Sequence, residues 1–145
     1  MDPINNIAII GLGYVGLPLA IEFAKHFPVL GFDINPERIA ELSRGEDHTR
    51  EANLSDLQSV IGAALPPDSD RGLRFSDNPG DLSGCNIYII TVPTPIDAYK
   101  SPDLGPLSTA TATIGRLIGK GDYIIYESTV YPGCTEEVCV PILEK

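Results

Sequence analysis

Short apolar runs alternate with stretches of helical periodicity along the chain, and this alternation is typical of a parallel α/β sheet. Four runs predict strands: residues 7–10, 29–32, 87–92 and 123–126. The first is a continuous apolar run that suits burial on both faces. Residues 73–75 predict a shorter strand at one edge of the sheet. The pattern therefore predicts a doubly wound parallel sheet in three layers, α/β/α, with the strand order 3-2-1-4-5.

The stretches between the strands carry the spacing of helices with one buried face. The first predicted helix shows this spacing at four positions: Leu17, Ala20, Ile21 and Ala24. The second has Asn35 and Pro36 as start signals and Gly45 as a stop signal. Further helices are predicted at residues 54–64, where two prolines follow, at residues 107–118, and from residue 135 onward.

Residues 11–16 read G-x-G-x-x-G, directly after the first strand and at the start of the first helix. In this context the motif is the fingerprint of a Rossmann dinucleotide-binding fold. Gly11 would allow the tight turn, Gly13 would let a pyrophosphate approach the backbone, and Gly16 would let the helix pack on the strand. The alternative is a tight turn without a ligand. The predicted cofactor-binding residues of this turn are Gly11, Leu12, Gly13, Tyr14, Val15 and Gly16.

Asp33 ends the second strand, 22 residues after Gly11. Its carboxylate would accept hydrogen bonds from the adenosine ribose and would repel a 2′-phosphate, which favours NAD over NADP. Arg38 lies one helical turn further on, where it could contact the cofactor and weaken that discrimination. The alternatives are an acid that stabilises the helix start for Asp33 and a solvated helix arginine for Arg38.

Two further strands end in hydroxyl-bearing loops. Thr91 lies at the end of one strand and Thr94-Pro95 follow it, and Ser128-Thr129 follow another strand. The predicted strand order places both loops beside Gly11, where they would line the nicotinamide half of a crevice. A hydroxyl there can bind a ribose, a phosphate or water, or it can cap its own backbone. We therefore include Thr94, Pro95, Ser128 and Thr129 among the candidate cofactor-binding residues.

Composition narrows the class of protein. The 145 residues suit one domain. The net charge of −10 disfavours binding to nucleic acid, so a phosphate-bearing ligand would need a local device such as a helix N-terminus. We expect no membrane span, because no apolar run approaches the required length of about 18 residues. Three cysteines are too few for a disulfide scaffold, which indicates the cytoplasm.

The histidines and cysteines give no metal motif. His26 and His48 lack an acid or a cysteine at ligand spacing, so we expect both at the surface. Cys134 and Cys139 have no second pair, which argues against a zinc site. Cys85 precedes a buried strand and is predicted to be a small core residue.

Several motifs together resemble the UDP-glucose/GDP-mannose dehydrogenase family. Residues 9–18 (IIGLGYVGLP) are similar to its opening, residues 31–35 (GFDIN) to its second strand, and residues 92–95 (VPTP) and 128–133 (STVYPG) to later signatures. Residues 94–97 (TPID), 102–104 (PDL), 126–133 (YESTVYPG) and 135–144 (TEEVCVPILE) resemble the branch of UDP-N-acetylhexosamine 6-dehydrogenases of bacterial surface polysaccharide synthesis, including the Vi-polysaccharide type. The resemblance covers the whole chain.

The resemblance implies a two-step oxidation of a sugar C6 alcohol, first to the aldehyde and then, through a cysteine thioester, to the uronate. NAD takes the hydride in each step. The family places the nucleophilic cysteine in a C-terminal region. We therefore expect residues 1–145 to be the dinucleotide-binding domain of a longer protein, inactive without the central helix and the UDP-sugar domain. Thr129 matches a family threonine near the reacting centre, thought to hold a water, and is the one candidate catalytic residue.

The resemblance also implies a UDP-sugar substrate and a parent protein that is a homodimer or larger. From the charge and the hydropathy we expect no nucleic-acid or membrane partner. Alternatives stay open: a UDP-glucose or GDP-mannose 6-dehydrogenase, another Rossmann oxidoreductase such as a short β-hydroxyacid dehydrogenase, or a non-catalytic NAD-sensing module. The sequence alone does not identify the hexosamine.

Overall fold

The computed structural model describes residues 6–48, 53–61, 71–92, 104–127 and 140–143. Strands and helices alternate along these residues as the hydrophobic pattern predicts. The strands are β1 (Ile7–Ile10), β2 (Pro28–Phe32), β3 (Gly72–Ser76), β4 (Ile87–Ile90) and β5 (Tyr123–Tyr126). The helices are α1 (Gly16–Ala24), α2 (Pro36–Ser43), α3 (Leu54–Val60), α4 (Gly105–Gly115) and α5 (Val140–Leu143), and a 3₁₀ helix spans Pro79–Gly84.

The five strands pair in parallel, in the order β3-β2-β1-β4-β5. This confirms the predicted order and the predicted edge strand at residues 73–75. β1 is central: Ile10 lies opposite Phe32 of β2 on one side and Ile90 of β4 on the other. The carboxyl ends of these three strands therefore meet at one edge of the sheet. In doubly wound sheets, ligands bind outside this edge, where the winding reverses between β1 and β4.

Each face of the sheet is covered by its own apolar core. Ile7 and Ile9 of β1 belong to a buried cluster with Leu17 of α1 and with residues of α3. Ala8 and Ile10, which alternate with them, belong to a second cluster with residues of the 3₁₀ helix and α4. Two cores on opposite faces of one sheet give the predicted three-layer α/β/α fold.

Local signals set most helix boundaries. The Asn35 side chain accepts hydrogen bonds from two backbone N–H groups of the first turn of α2, and Gly45 follows the helix with a φ of +77°. Both confirm the predicted signals. The prediction that Ile61 is helical is wrong, because Ile61 is extended and pairs with Leu73 of β3. The prolines predicted to follow α3 and the predicted helix start at residue 135 lie outside the described residues.

None of the helices among the described residues is both long and apolar enough to cross a membrane.

Candidate functional site

A cleft of about 620 Å³ opens at the carboxyl ends of β1, β2 and β4. The glycine-rich turn forms its floor, the loop after β2 forms one wall, and the 3₁₀ helix and α4 form the other. Most of the lining is apolar, and Asp33 and Arg38 are the charged residues that line it among the described residues. The cleft thus lies where the strand order predicts a ligand.

The glycines of the turn have different structural roles. Gly11 has a φ of +99°, and a Cβ there would lie 2.9 Å from the Val92 backbone. A Cβ at Gly16 would overlap the Gly11 carbonyl oxygen and the Thr91 hydroxyl. Both positions need glycine for the fold itself, as the tight turn and the helix–strand packing predict.

Gly13 differs, because no atom beyond its two chain neighbours lies within 4 Å of the position that a Cβ would occupy. The fold therefore does not require glycine here, whereas a ligand that approaches the backbone would. The first turn of α1 lies next to it, and Val15 at its N-cap supplies no side-chain hydrogen bond. The partial positive charge of a helix N-terminus favours a phosphate at such a position. This arrangement fits the pyrophosphate of a dinucleotide.

Asp33 is half-buried at the end of β2 and is fixed by two backbone groups. Its Oδ2 accepts a hydrogen bond from the Leu12 N–H, and its Oδ1 accepts one from the Asn35 N–H, each at 3.0 Å. A carboxylate has about four acceptor positions, so two remain for a ligand. The carboxylate is therefore oriented in advance and can still accept hydrogen bonds from ribose hydroxyls.

Arg38 is not a solvated helix arginine, so that alternative is wrong. The residue is only 8% exposed. Its Nη1 lies 2.7 Å from Asp47 Oδ1, and its Nε and Nη2 donate to the Leu12 carbonyl at 3.2 and 2.9 Å. Arg38 thus fixes the glycine-rich turn through the Leu12 carbonyl. Asp47 was missed in the sequence, because it lies in a loop nine residues further on, where no periodicity connects it to α2.

Thr91 also holds the glycine-rich turn. Its hydroxyl is buried and lies 2.7 Å from the Gly11 carbonyl oxygen and 3.1 Å from that of Ile10. β4 ends at Ile90 rather than at the predicted residue 92, because its pairing with β1 ends at Ile10, directly before the glycine-rich turn. Of the two roles considered for a hydroxyl at this position, Thr91 has the structural one, because its hydroxyl bonds backbone carbonyls. Val92, next to it, lines the cleft.

The remaining candidate residues form two groups: two exposed residues of the glycine-rich turn, and four residues outside the described ranges. Tyr14 is 76% exposed, and Val15 is exposed beside it. Thr94, Pro95, Ser128 and Thr129 lie outside the described residues, so their roles stay predictions.

The other chemically versatile side chains lie away from the cleft. His26 is exposed. His48 is exposed as predicted, but its Nδ1 lies 2.6 Å from Glu41, an acid partner that the sequence analysis missed. A hydrogen bond from the His48 backbone N–H lowers the pKa of Glu41. Cys85 is buried, as predicted, and burial raises its thiol pKa. Within the described ranges, no group of three or more His, Cys, Asp or Glu could hold a metal ion.

Comparison with known proteins gives matches over nearly the whole chain. Residues 5–145 match the family described as "UDP-glucose/GDP-mannose dehydrogenase family, NAD binding domain". The chain is 54% identical over 140 residues to a UDP-N-acetyl-D-glucosamine 6-dehydrogenase of Pseudomonas aeruginosa and 52% identical to one of Salmonella typhi. Each alignment covers 97% of this chain and 31% of the relative. The chain thus spans about a third of the length of these relatives.

The fold has solved counterparts. An NDP-N-acetyl-D-galactosaminuronic acid dehydrogenase from Methanosarcina mazei Go1 superposes with a TM-score of 0.84 at 28% identity, over 99% of this chain and 31% of that one.

Proposed function

Because this chain belongs to the UDP-glucose/GDP-mannose dehydrogenase family, matching its NAD-binding domain, we propose that it binds NAD in the cleft at the carboxyl ends of β1, β2 and β4. The observation that carries the proposal is the open space over Gly13, beside the start of α1 and the fixed carboxylate of Asp33. Membership in this family also removes the β-hydroxyacid dehydrogenase alternative.

Each part of the cleft suits one part of the cofactor. The first turn of α1 and the backbone at Gly13 would bind the pyrophosphate. The free acceptor positions of Asp33 would bind the adenosine ribose hydroxyls. Arg38 would act indirectly, through the Leu12 carbonyl that it holds in place. Bound NAD would supply the hydride acceptor.

We propose that the longer protein containing this domain oxidises the C6 alcohol of a UDP-N-acetylhexosamine to the uronate in two NAD-dependent steps. The names of the P. aeruginosa and S. typhi relatives support this substrate class and favour the glucosamine form. A role in surface polysaccharide synthesis and a homodimeric or larger parent follow from the resemblance of the motifs. The buried free thiol of Cys85 is consistent with a cytoplasmic enzyme.

Thr129 is proposed to act at the reacting centre, together with a cysteine nucleophile outside this chain. This role rests on the match of residues 128–133 to the family signature. Thr94, Pro95 and Ser128 are proposed to contact the nicotinamide half of NAD on the same grounds.

The decisive experiment fills the space over Gly13. Gly13→Val should leave the fold intact, because the added Cβ meets no atom beyond the two chain neighbours. It should weaken NAD binding at least tenfold, about 1.4 kcal/mol. Isothermal titration calorimetry and thermal unfolding measure the two effects. Gly84→Val is the matched control, since a Cβ at Gly84 also meets nothing within 4 Å and Gly84 does not line the cleft. Unchanged NAD affinity in Gly13→Val would remove the proposed site.

A further inference from the structure

We propose that Asp47 is a specificity-determining residue for the cofactor, acting through Arg38: it keeps the Arg38 guanidinium bound to the Leu12 carbonyl and thereby denies a 2′-phosphate its cationic partner. The inference rests on the proposed NAD site. It assigns a role to a residue that does not line the cleft.

The contact between Asp47 and Arg38 is buried. The Asp47 side chain is 0% exposed and that of Arg38 is 8% exposed, with Nη1 and Oδ1 2.7 Å apart. Glu41 lies beside the same Nη1 at 3.8 Å. Two carboxylates therefore compensate the charge of Arg38 on the side away from the cleft. A buried, charge-assisted contact of this length is among the stronger hydrogen bonds in proteins.

The backbone of Leu12 connects this ion pair to Asp33. The Leu12 carbonyl accepts from Arg38, and the Leu12 N–H donates to Asp33. The carboxylate proposed to bind the ribose and the arginine behind it are thus both held by the backbone of one residue, Leu12, through its N–H and its C=O. Any movement of Arg38 toward the ribose would release the Leu12 carbonyl from its donors.

This geometry has a consequence for nucleotide choice. In Rossmann folds that bind NADP, a nearby arginine accommodates the 2′-phosphate. Arg38 lines the cleft at the required end, beside Asp33. A movement of Arg38 toward a 2′-phosphate would, however, weaken its contact with Asp47, and weakening a buried ion pair is costly. Asp47 thus opposes NADP binding together with Asp33, from a position that the ligand does not touch.

Asp47→Asn tests the inference in the full chain. The amide keeps the shape of the side chain and one acceptor for Arg38 but removes the charge. The ratio of the Kd values for NADP and NAD, measured by calorimetry, should fall about fivefold or more, mainly through tighter NADP binding. Glu46→Gln is the matched control: it makes the same change one residue earlier, where the side chain is exposed and contacts Arg44. Its ratio should stay at the wild-type value.

A double variant shows whether the effect passes through Arg38. Arg38→Gln combined with Asp47→Asn removes both charges of the pair, and the ratio should return to the wild-type value. If Asp47→Asn weakens both cofactors by the same factor, Asp47 only supports the fold and the inference is wrong. If the double variant keeps the gain in NADP affinity, the effect does not run through Arg38 and the inference is equally wrong.

A measurement on the unaltered chain is independent of whether Asp47→Asn folds. The NMR resonance of the Arg38 Nε–H should shift by the same amount with NAD and with NADP, because Asp47 retains the guanidinium in both complexes. A larger shift with NADP overturns the inference while leaving the NAD site in place. If the unaltered chain binds neither nucleotide, the proposed NAD site fails as well.

Discussion

Asp33 lines the cleft and is the residue proposed to bind the adenosine ribose. Asp33→Ala should narrow the difference in affinity between NAD and NADP, because the carboxylate that repels a 2′-phosphate is lost together with the acceptors for the ribose hydroxyls. Calorimetry with both nucleotides measures the change, and Asp77→Ala, at an exposed position after β3, is the control. Equal affinity of the wild-type chain for the two nucleotides would contradict the assignment.

Thr91 is a residue whose substitution should affect stability directly. Thr91→Val keeps the shape but removes the hydroxyl that bonds the Gly11 and Ile10 carbonyls. Since a buried carbonyl without a partner costs about 1–3 kcal/mol, the free energy of unfolding should fall by that amount in urea denaturation. Thr109→Val, on the exposed surface of α4, should change it little. An equal loss in both variants would refute the role of Thr91 in holding the turn.

Substitution of Thr129 tests its proposed role in turnover. In the full-length parent protein, Thr129→Ala should lower turnover by about 10²–10³ and reduce turnover more than NAD affinity, because a group that stabilises developing charge acts mainly in the transition state. Thr129→Ser keeps the hydroxyl and should retain most of the activity. A capping threonine would instead lose about 1 kcal/mol of stability on substitution with alanine and leave turnover at the wild-type level.

At the scale of elements, β4 contains a buried tyrosine with an unusual titration. Tyr88 donates to the carbonyls of Leu82 and Cys85 at 3.1 and 3.0 Å, and burial raises its pKa to about 12. In the unfolded chain, tyrosine ionises near pH 10. The fold therefore keeps a proton that the unfolded chain loses, so this part of the stability is complete below about pH 10 and is lost as the pH rises toward 12.

Tyr88→Phe tests this directly. The variant should lose about 1 kcal/mol at neutral pH, because the two carbonyls lose their donor. Its stability should also fall less steeply than that of the wild type between about pH 10 and pH 12. Urea midpoints across this range measure both effects. Tyr123→Phe, at a position that is 68% exposed, should have the same pH dependence of stability as the wild type. If Tyr88→Phe also has the wild-type pH dependence, ionisation of Tyr88 is not coupled to folding.

The elements themselves were largely predictable, because each depends on local sequence. Four consecutive apolar residues predict β1, and Asn35 and Gly45 predict the ends of α2. The site was predictable where backbone geometry demands glycine or where a carboxylate ends a strand. Asp47 and the structural role of Thr91 were not, because both depend on partners that only the tertiary fold brings close: Thr91 lies 80 residues from Gly11. Ile61 was misassigned for the same reason, since its pairing with β3 overrides its helical spacing.

At the scale of the whole molecule, the 145-residue chain is expected to bind NAD without catalysing the reaction of its relatives. It spans 31% of the length of the P. aeruginosa relative. Among the described residues its cysteine is Cys85, which is buried and does not line the cleft. Purified chain with NAD and UDP-N-acetylglucosamine should therefore produce no NADH above background, as followed by absorbance. NADH formation that depends on both compounds would show that the chemistry lies within these residues.

The central position of β1 has a consequence for the order of folding. β1 and β2 are close in sequence, but β4 must close a chain segment of about 80 residues before it reaches the other side of β1, and such closures are slow and entropically costly. The Gly11 turn rests on Val92 and Thr91, so it cannot reach its final conformation before this closure. A nascent chain that has emerged only as far as β3 already carries the complete G-x-G-x-x-G motif and yet lacks the contacts of Thr91 and Val92 with the turn, so we expect it not to bind a dinucleotide. We therefore expect the chain to become able to bind the cofactor late in synthesis and refolding, when β4 pairs with β1.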